Sequence, residues 1–192
     1  MTPALTTIKD KHLSTMINEG SVGVLPTDTL YGLVCRADNK ASVRRLYEIK
    51  NRDKKPGTII AATIGQLVSL GIKKRYLTAI AGYWPGPVSV IIPTDNPDLH
   101  YLDMGKGTLA VRIVANEELI RLLELTGPLL TSSANMPGKD SANTIDDAQK
   151  YFGNRIDFYV NGGDYSERQP STLIRVIDDT VDILRQGSGI IK

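Results

Sequence analysis

The sequence predicts a single α/β domain whose twisted, open sheet mixes parallel and antiparallel strands and is flanked by helices. A length of 192 residues with 41% hydrophobic content is enough for one packed core and short for two. Short apolar runs alternate along the chain with segments of helical periodicity, the rhythm of α/β proteins. Two apolar runs near the end are separated by Asp178-Asp179, which predicts a closing antiparallel hairpin. Residues 1–192 are therefore expected to form one domain.

The helices are predicted from apolar spacing and from their end signals. Val43, Leu46, Tyr47 and Lys50 recur at i, i+3, i+4 and i+7, so one helix stripe carries Lys50 inward. Asn116 is a suitable N-cap, and Thr144 with an acidic residue three positions later resembles a capping box. The predicted helices cover residues 9–19, 40–50, 64–70, 73–83, 116–127 and 144–153.

The strands are predicted from short apolar or β-branched runs between turn residues. Residues 27–33 are predicted to form a turn after the first strand, and residues 178–179 a turn within the last hairpin. The predicted strands cover residues 22–25, 58–62, 88–92, 108–113, 129–131, 158–160, 172–177 and 181–185.

Composition excludes several classes of protein. Lys and Arg number 23 against 21 Asp and Glu, a net charge of +2, which excludes a polybasic, histone-like binder. Cys35 is the single cysteine, and His12 and His100 have no metal-ligand spacing, so we expect a reduced, cytoplasmic protein without structural zinc. No apolar run approaches the roughly 18 to 20 residues of a membrane span, and residues 1–10 lack a signal-peptide core.

Three polar clusters follow predicted elements, where open α/β sheets tend to place ligands. They are PTDTLYGL at 26–33, KNRDKKPG at 50–57 and TSSANMPG at 131–138. Each also has a plain structural interpretation, as turn residues, a solvated helix end and a capped turn respectively. A partly buried lysine without an anionic partner is costly, which favours a phosphate ligand for Lys50 and Arg52, such as a triphosphate.

Seven motifs in order between residues 21 and 187 resemble the threonylcarbamoyl-AMP synthase (YrdC-like) family. Any one of them is weak, whereas seven at similar separations are specific. The resemblance implies the YrdC-like fold with a concave basic surface. The motifs are PTDTLYGL, Lys50-x-Arg52, WPGP at 84–87, AVR at 110–112, Ser133-x-Asn135, PSTLIR at 170–175 and ILRQG at 183–187.

The resemblance also implies a reaction. The family condenses L-threonine, bicarbonate and ATP into threonylcarbamoyl-AMP and pyrophosphate, as a nucleotidyltransferase. This is the first step of the threonylcarbamoyl modification of the anticodon-adjacent adenosine in tRNAs that read codons starting with A. Mg²⁺ is required and is expected to bind through the ATP phosphates, with no protein metal site. The implied partners are a downstream tRNA threonylcarbamoyl transferase complex and tRNA or double-stranded RNA.

Site residues follow from the same resemblance, position by position. The catalytic pair is Lys50 and Arg52. Arg112 has a second interpretation, as a strand-end arginine in a surface ion pair. The residues implied for ATP are Lys50, Arg52, Thr108, Ser133, Asn135 and Arg185, and those implied for L-threonine are Thr27, Thr29, Tyr31, Arg112, Ser133 and Ser171.

The chain departs from the family pattern at two positions. Asp53 stands where many members have proline, and Ala61 where many have a histidine, so phosphate geometry and threonine binding are open at these points. The additional C-terminal domain of longer members is not in the sequence, and the size fits the short, single-domain synthase.

Two other interpretations are open. One is a non-catalytic RNA-binding or ribosome-maturation module of the same fold, in which basic residues would bind RNA in a salt-sensitive way. Presence of the complete KxR and SxN motifs favours catalysis over this module. The other is a carbamoyl-transfer enzyme related to hydrogenase maturation, which usually carries zinc-finger segments that one cysteine cannot supply. The basic residues of the RNA interpretation are Lys54, Lys55, Lys73, Lys74 and Arg75.

Overall fold

Ten strands join side by side into one continuous sheet in the computed structural model, which describes residues 3–51, 55–177 and 180–191. The strands are Ala4–Thr6 (β1), Gly23–Pro26 (β2), Tyr31–Arg36 (β3), Thr58–Ala61 (β4), Val88–Pro93 (β5), Thr108–Ile113 (β6), Leu129–Ser133 (β7), Phe158–Val160 (β8), Thr172–Ile177 (β9) and Thr180–Arg185 (β10). The helices are Lys11–Asn18 (α1), Lys40–Lys50 (α2), Ile64–Ser69 (α3), Lys74–Ala79 (α4), His100–Asp103 (α5), Glu117–Thr126 (α6) and Ile145–Phe152 (α7). None of these helices, in the part of the chain described, is long and apolar enough to cross a membrane.

The sheet is mixed, as predicted. Its strand order is β1-β8-β2-β3-β7-β4-β6-β5-β9-β10. The pairs β1/β8, β2/β8, β4/β6 and β5/β9 are parallel, and the others are antiparallel. The predicted closing hairpin is the antiparallel pair β9/β10. Its predicted turn at residues 178–179 lies outside the described residues.

Helices cover both faces because alternate strand residues point to opposite sides. On β3, Leu33 and Cys35 face one core cluster and Val34 faces the other. Helices α2, α3, α4, α5 and α7 supply buried side chains to the first cluster, and α1 and α6 supply them to the second. Fully burying one such leucine or isoleucine contributes about 1.5–3 kcal/mol, so the two clusters together hold the sheet between its helices.

Several predicted boundaries are confirmed and others are wrong. The helix over 40–50 and the strand over 108–113 have the predicted ends, and the caps at Asn116 and Thr144 form. The predicted turn over 27–33 is wrong in its second half, because β3 begins at Tyr31. The predicted helix over 73–83 is α4 followed by a short 3₁₀ helix at 81–83. Strand β1 and helix α5 were not predicted.

Candidate active site

A pocket of about 540 Å³, counted with its solvent-open part, lies where β2, β3, β4, β6 and β7 meet the segments flanking β9 and β10. Strands β3, β7, β4 and β6 are neighbours in the middle of the sheet. Polar residues from motifs that are far apart in the sequence therefore lie close together around one pocket. Gly32 of β3 pairs with Ser133 of β7, which joins the first and third clusters. The pocket is lined by Thr27, Thr29, Leu30, Tyr31, Gly32, Pro56, Gly57, Thr58, Arg112, Thr131, Ser132, Ser133, Pro170, Ser171 and Arg185.

Arg112, near the end of β6, forms a buried ion pair in this pocket. Its Nη2 donates to Asp28 Oδ1 at 2.8 Å, and the two side chains are 4% and 6% exposed. Nη1 donates to Ser89 Oγ at 3.0 Å. Within the described residues, Arg112 Nε and Asp28 Oδ2 are buried and have no hydrogen-bond partner. The alternative interpretation, a surface ion pair, is therefore wrong, and the guanidinium keeps a donor for a further acceptor.

Ser171 extends this network towards Arg185. Its hydroxyl lies 2.9 Å from Ser89 Oγ. Arg185 Nη2 donates to the Ser171 carbonyl oxygen at 2.8 Å and to its Oγ at 3.1 Å. Gly187 allows this contact, since a Cβ there would lie 2.1 Å from the Pro170 carbonyl oxygen. Arg185 therefore reaches the pocket from the last strand, and its implied contact with ATP stays a prediction.

Positive charge exceeds negative charge at this end of the pocket. Arg112 and Arg185 both line the pocket, and Asp28 forms an ion pair with Arg112. Partial burial, and secondarily the charge of Arg112, lowers the pKa of the Arg185 guanidinium, which still stays protonated because arginine pKa values lie so high. Such a site favours an anionic ligand.

The turn before β3 uses its hydroxyls internally. Thr27 Oγ1 donates to the Leu30 carbonyl oxygen at 2.6 Å and accepts from the Thr29 amide at 3.2 Å. The Tyr31 hydroxyl accepts from the Gly162 amide at 2.8 Å and donates to the Gly163 carbonyl oxygen at 2.9 Å. Burial raises the pKa of Tyr31, which therefore stays a neutral phenol at physiological pH. All three residues line the pocket, but Tyr31 also anchors the segment after β8.

Lys50 ends α2 and points inward, as its position on the helix stripe predicted. The residue is 4% exposed. Its Nζ donates to the Ser133 carbonyl oxygen at 2.7 Å, to Asn135 Oδ1 at 2.5 Å and to the Asn135 carbonyl oxygen. Ser133 Oγ also donates to Asn135 Oδ1 at 2.7 Å. The KxR lysine and the SxN pair, 83 and 85 residues apart, thus form one cluster beside the pocket.

Other predicted residues lie elsewhere. Thr108 is exposed at the start of β6, four residues before Arg112 and so about 13 Å along the strand, and it does not line the pocket. Arg52 and Asp53 lie outside the described residues. Ala61, which replaces the family histidine, is fully buried in the core and does not line the pocket.

The basic residues suggested for RNA are partly engaged. Lys73 forms an ion pair with Asp95, and Arg75 lies 3.9 Å from the same carboxylate. Lys55 and Lys74 are exposed, and Lys54 lies outside the described residues. Across the described ranges, no three His, Cys, Asp or Glu side chains come together, so that part of the chain offers no preformed metal site.

Comparison with known proteins gives the family. The Sua5/YciO/YrdC family model, described as "Telomere recombination", matches residues 15–187. The chain belongs to this family. A protein of Pseudomonas aeruginosa named threonylcarbamoyl-AMP synthase is 32% identical over 161 residues, which cover 82% of this chain and 87% of that protein. Sua5/YciO/YrdC membership together with the names of such relatives makes the chain an enzyme of the nucleotidyltransferase type.

Two solved Sua5/YciO/YrdC structures superpose on this fold. P. abyssi Sua5 complexed with L-threonine has a TM-score of 0.83 at 27% identity, over 96% of this chain and 57% of that one. The present chain therefore spans less than three fifths of the P. abyssi protein. E. coli YciO has a TM-score of 0.79 at 23% identity, over 100% of this chain and 97% of that one. The second likeness shows the shared fold alone.

Sequence reasoning missed two residues of the pocket network. Asp28 lies inside PTDTLYGL, but only its neighbouring threonines were assigned roles. The available signal was a carboxylate between two threonine hydroxyls, in a chain where Arg112 needed an anionic partner. Ser89 belongs to none of the seven Sua5/YciO/YrdC motifs. Its signal was weaker, a single hydroxyl within the apolar run of a predicted strand.

Proposed function

We propose that this chain is an L-threonylcarbamoyladenylate synthase that condenses L-threonine, bicarbonate and ATP. One observation carries the proposal. The pocket contains Arg112, a buried arginine with an unpartnered N–H group, and the cluster of Lys50, Ser133 and Asn135 lies directly beside it. P. abyssi Sua5, which has the same fold, was solved with L-threonine. The relatives that share about 30% identity with this chain carry the synthase name.

In this proposal the Arg112 end of the pocket binds L-threonine. The carboxylate accepts from the Arg112 guanidinium, because a charge-assisted contact to arginine is strong and directional. Ser171, Thr29 and Thr27 supply hydroxyls around the amino acid, and Tyr31 closes the pocket wall. A rigid, buried guanidinium orients the substrate without reorganising on binding.

ATP binds next to the Lys50 cluster and extends to Arg185, which contacts Ser171 at the Arg112 end of the pocket. Lys50, Ser133 and Asn135 supply a cation and polar groups, and Arg185 approaches from β10. In the structure, Lys50 donates to two oxygens of Asn135. When ATP binds, phosphate oxygens would replace these oxygens as acceptors for the Lys50 ammonium group. Arg52 is the other cation of the predicted ATP set, whereas Thr108, which does not line the pocket, is given no role in this proposal. A magnesium ion bound to the ATP phosphates would neutralise part of their charge.

The chemistry needs no protein nucleophile. The threonine amine adds to bicarbonate and water leaves, which gives a carbamate. A carbamate oxygen then forms a bond to the α-phosphorus, and the bond to the pyrophosphate oxygen breaks. The protein contributes by holding the reactants together, by placing positive charge near the phosphates and by limiting water. The product would serve tRNA threonylcarbamoylation through a separate transferase in the cytoplasm.

The test is pyrophosphate release by the purified protein with ATP and Mg²⁺, with and without L-threonine and bicarbonate, and with L-serine as comparison. Release that requires both substrates is expected. Lys50→Ala should lower it at least tenfold, because a charge-assisted contact is worth about 1.5–3 kcal/mol. Lys74→Ala, at the exposed start of α4, is the matched control.

Two results would contradict the proposal. One is unchanged release by Lys50→Ala, which would remove the assigned role of this residue. The other is the absence of release together with salt-sensitive binding of RNA, which would instead identify a non-catalytic RNA-binding module.

A further inference from the structure

Strand β5 carries one buried hydroxyl that no site motif includes. Ser89 lies between Val88 and Val90 and is 0% exposed. Its Oγ accepts from Arg112 Nη1 at 3.0 Å and lies 2.9 Å from Ser171 Oγ. A buried hydroxyl in an apolar strand is costly unless its hydrogen bonds are made. Both partners of this hydroxyl line the pocket, although Ser89 does not.

The sheet topology explains why this position can contact both. β5 lies between β6 and β9, antiparallel to the first and parallel to the second. Val90 pairs with Val111 of β6, so the next position along the register sets Ser89 beside Arg112. On the other side, Val88 pairs with Thr172 of β9, and Thr172 is the residue directly after Ser171. Ser89 therefore lies between the strand that carries Arg112 and the strand that follows Ser171.

Ser89 and Asp28 together determine the plane of the Arg112 guanidinium. Asp28 accepts from Nη2 and Ser89 accepts from Nη1, so both terminal nitrogens are anchored. Nε has no partner among the described residues. A planar group held at two corners cannot turn about its own axis, so the directions of its remaining N–H groups are fixed. The orientation of the donor is therefore set before any ligand arrives.

We propose that Ser89 is a positioning residue of the amino-acid subsite, holding the Arg112 guanidinium and the Ser171 hydroxyl in the arrangement that receives L-threonine. This inference rests on the proposed function, because it takes L-threonine as the ligand of Arg112 and Ser171. Ser89 itself touches no substrate. Its removal should therefore affect threonine affinity far more than ATP affinity, because Arg185 keeps its hydrogen bond to the Ser171 carbonyl oxygen. General loss of structure would not produce this separation.

The experiment measures dissociation constants for L-threonine and for ATP by titration calorimetry, and the two KM values in the pyrophosphate assay. Ser89→Ala should raise the Kd and KM for L-threonine about tenfold, as expected for one lost hydrogen bond to a charged group. The Kd and KM for ATP should stay within about twofold. Ser42→Ala is the matched control, since this serine is also buried, donates to the Gly20 carbonyl oxygen and does not line the pocket.

A second variant covers loss of folding. Ser89→Cys keeps nearly the same shape and is a poor hydrogen-bond partner, so it should show the same selective effect. Threonine affinity within twofold of wild type in whichever variant folds would overturn the role of Ser89. Equal weakening of threonine and ATP would also overturn it, because it would indicate a general structural effect. If wild-type protein binds no threonine and releases no pyrophosphate, the proposed function itself fails, which is a distinct outcome.

Discussion

Breaking the buried Asp28–Arg112 ion pair should lower the free energy of unfolding strongly and non-additively. Arg112→Met leaves the carboxylate buried, with Oδ1 deprived of its guanidinium and Oδ2 already unpartnered. Removing one partner of a buried pair costs about 3–5 kcal/mol. Asp28→Asn keeps an acceptor for Nη2 but loses the charge, for a cost of about 1–3 kcal/mol.

The double variant distinguishes this explanation from simple loss of packing. It contains no buried charge at this position, and one unsatisfied amide should cost about 1–3 kcal/mol. The double variant should therefore be more stable than the two single costs together imply, with a coupling energy of about 3–5 kcal/mol. The free energy of unfolding of the wild type, the two single variants and the double variant is measured by urea unfolding, followed by far-ultraviolet circular dichroism.

The control is the exposed pair of Arg121 with Glu117, whose side chains are 73% and 84% exposed. Arg121→Met should change the free energy of unfolding by no more than about 0.5 kcal/mol, because water screens this pair. If the costs at Asp28 and Arg112 add within about 0.5 kcal/mol, the buried pair does not act as a unit and the reasoning is wrong.

Two further predictions concern Gly32 in the sheet and Asp157, directly before β8. Gly32→Ala should lower the free energy of unfolding in urea by about 1–3 kcal/mol, because the added Cβ would lie 2.4 Å from Thr131 Oγ1. Adding Thr131→Ala should restore part of this loss. If it restores none, the clash with Thr131 is not the cause. Burial raises the pKa of Asp157, but hydrogen bonds from Arg45 and the Val22 amide outweigh it, so the pKa lies below its usual 3.8. Stability from this group is present above the usual pKa and is lost as pH falls through the lowered folded-state value. Asp157→Asn should thus lose up to about 1 kcal/mol at neutral pH and approach wild type in strong acid, whereas a pH-independent difference would contradict this account.

Local signals were sufficient for the longer elements. Helix α2 is predicted at both ends from four stripe positions at helical spacing, and the structure adds an N-cap at Asn39. Strand β3 was missed because PTDTLYGL begins with turn residues and changes to strand within the same motif. Strand β1 has three residues and is held by parallel pairing with β8, more than 150 positions away, which no local pattern reports. Helix α5, with four residues, is too short for a periodic signal.

The candidate site divides in the same way. The inward position of Lys50 follows from helical spacing, and the motif order points to Arg112, Ser133 and Asn135. The contacts of these side chains could not be predicted from the sequence. A hydrogen bond requires the donor–acceptor distance to be correct within a few tenths of an ångström, and that distance depends on how separate strands pack. Lys50 donates to the turn at 133–135, a contact that its helix spacing does not indicate.

The order of residues along this chain thus establishes the chemical groups available, the main helices and strands, and the family resemblance. The folded sheet establishes which groups become partners. Asp28 and Arg112 are 84 positions apart, and Ser89 and Ser171 are 82 apart, yet each pair is in hydrogen-bonding contact. The reason is physical: strand order and register are set by burial over the whole sheet, so a pairing between distant side chains is a property of the packed fold.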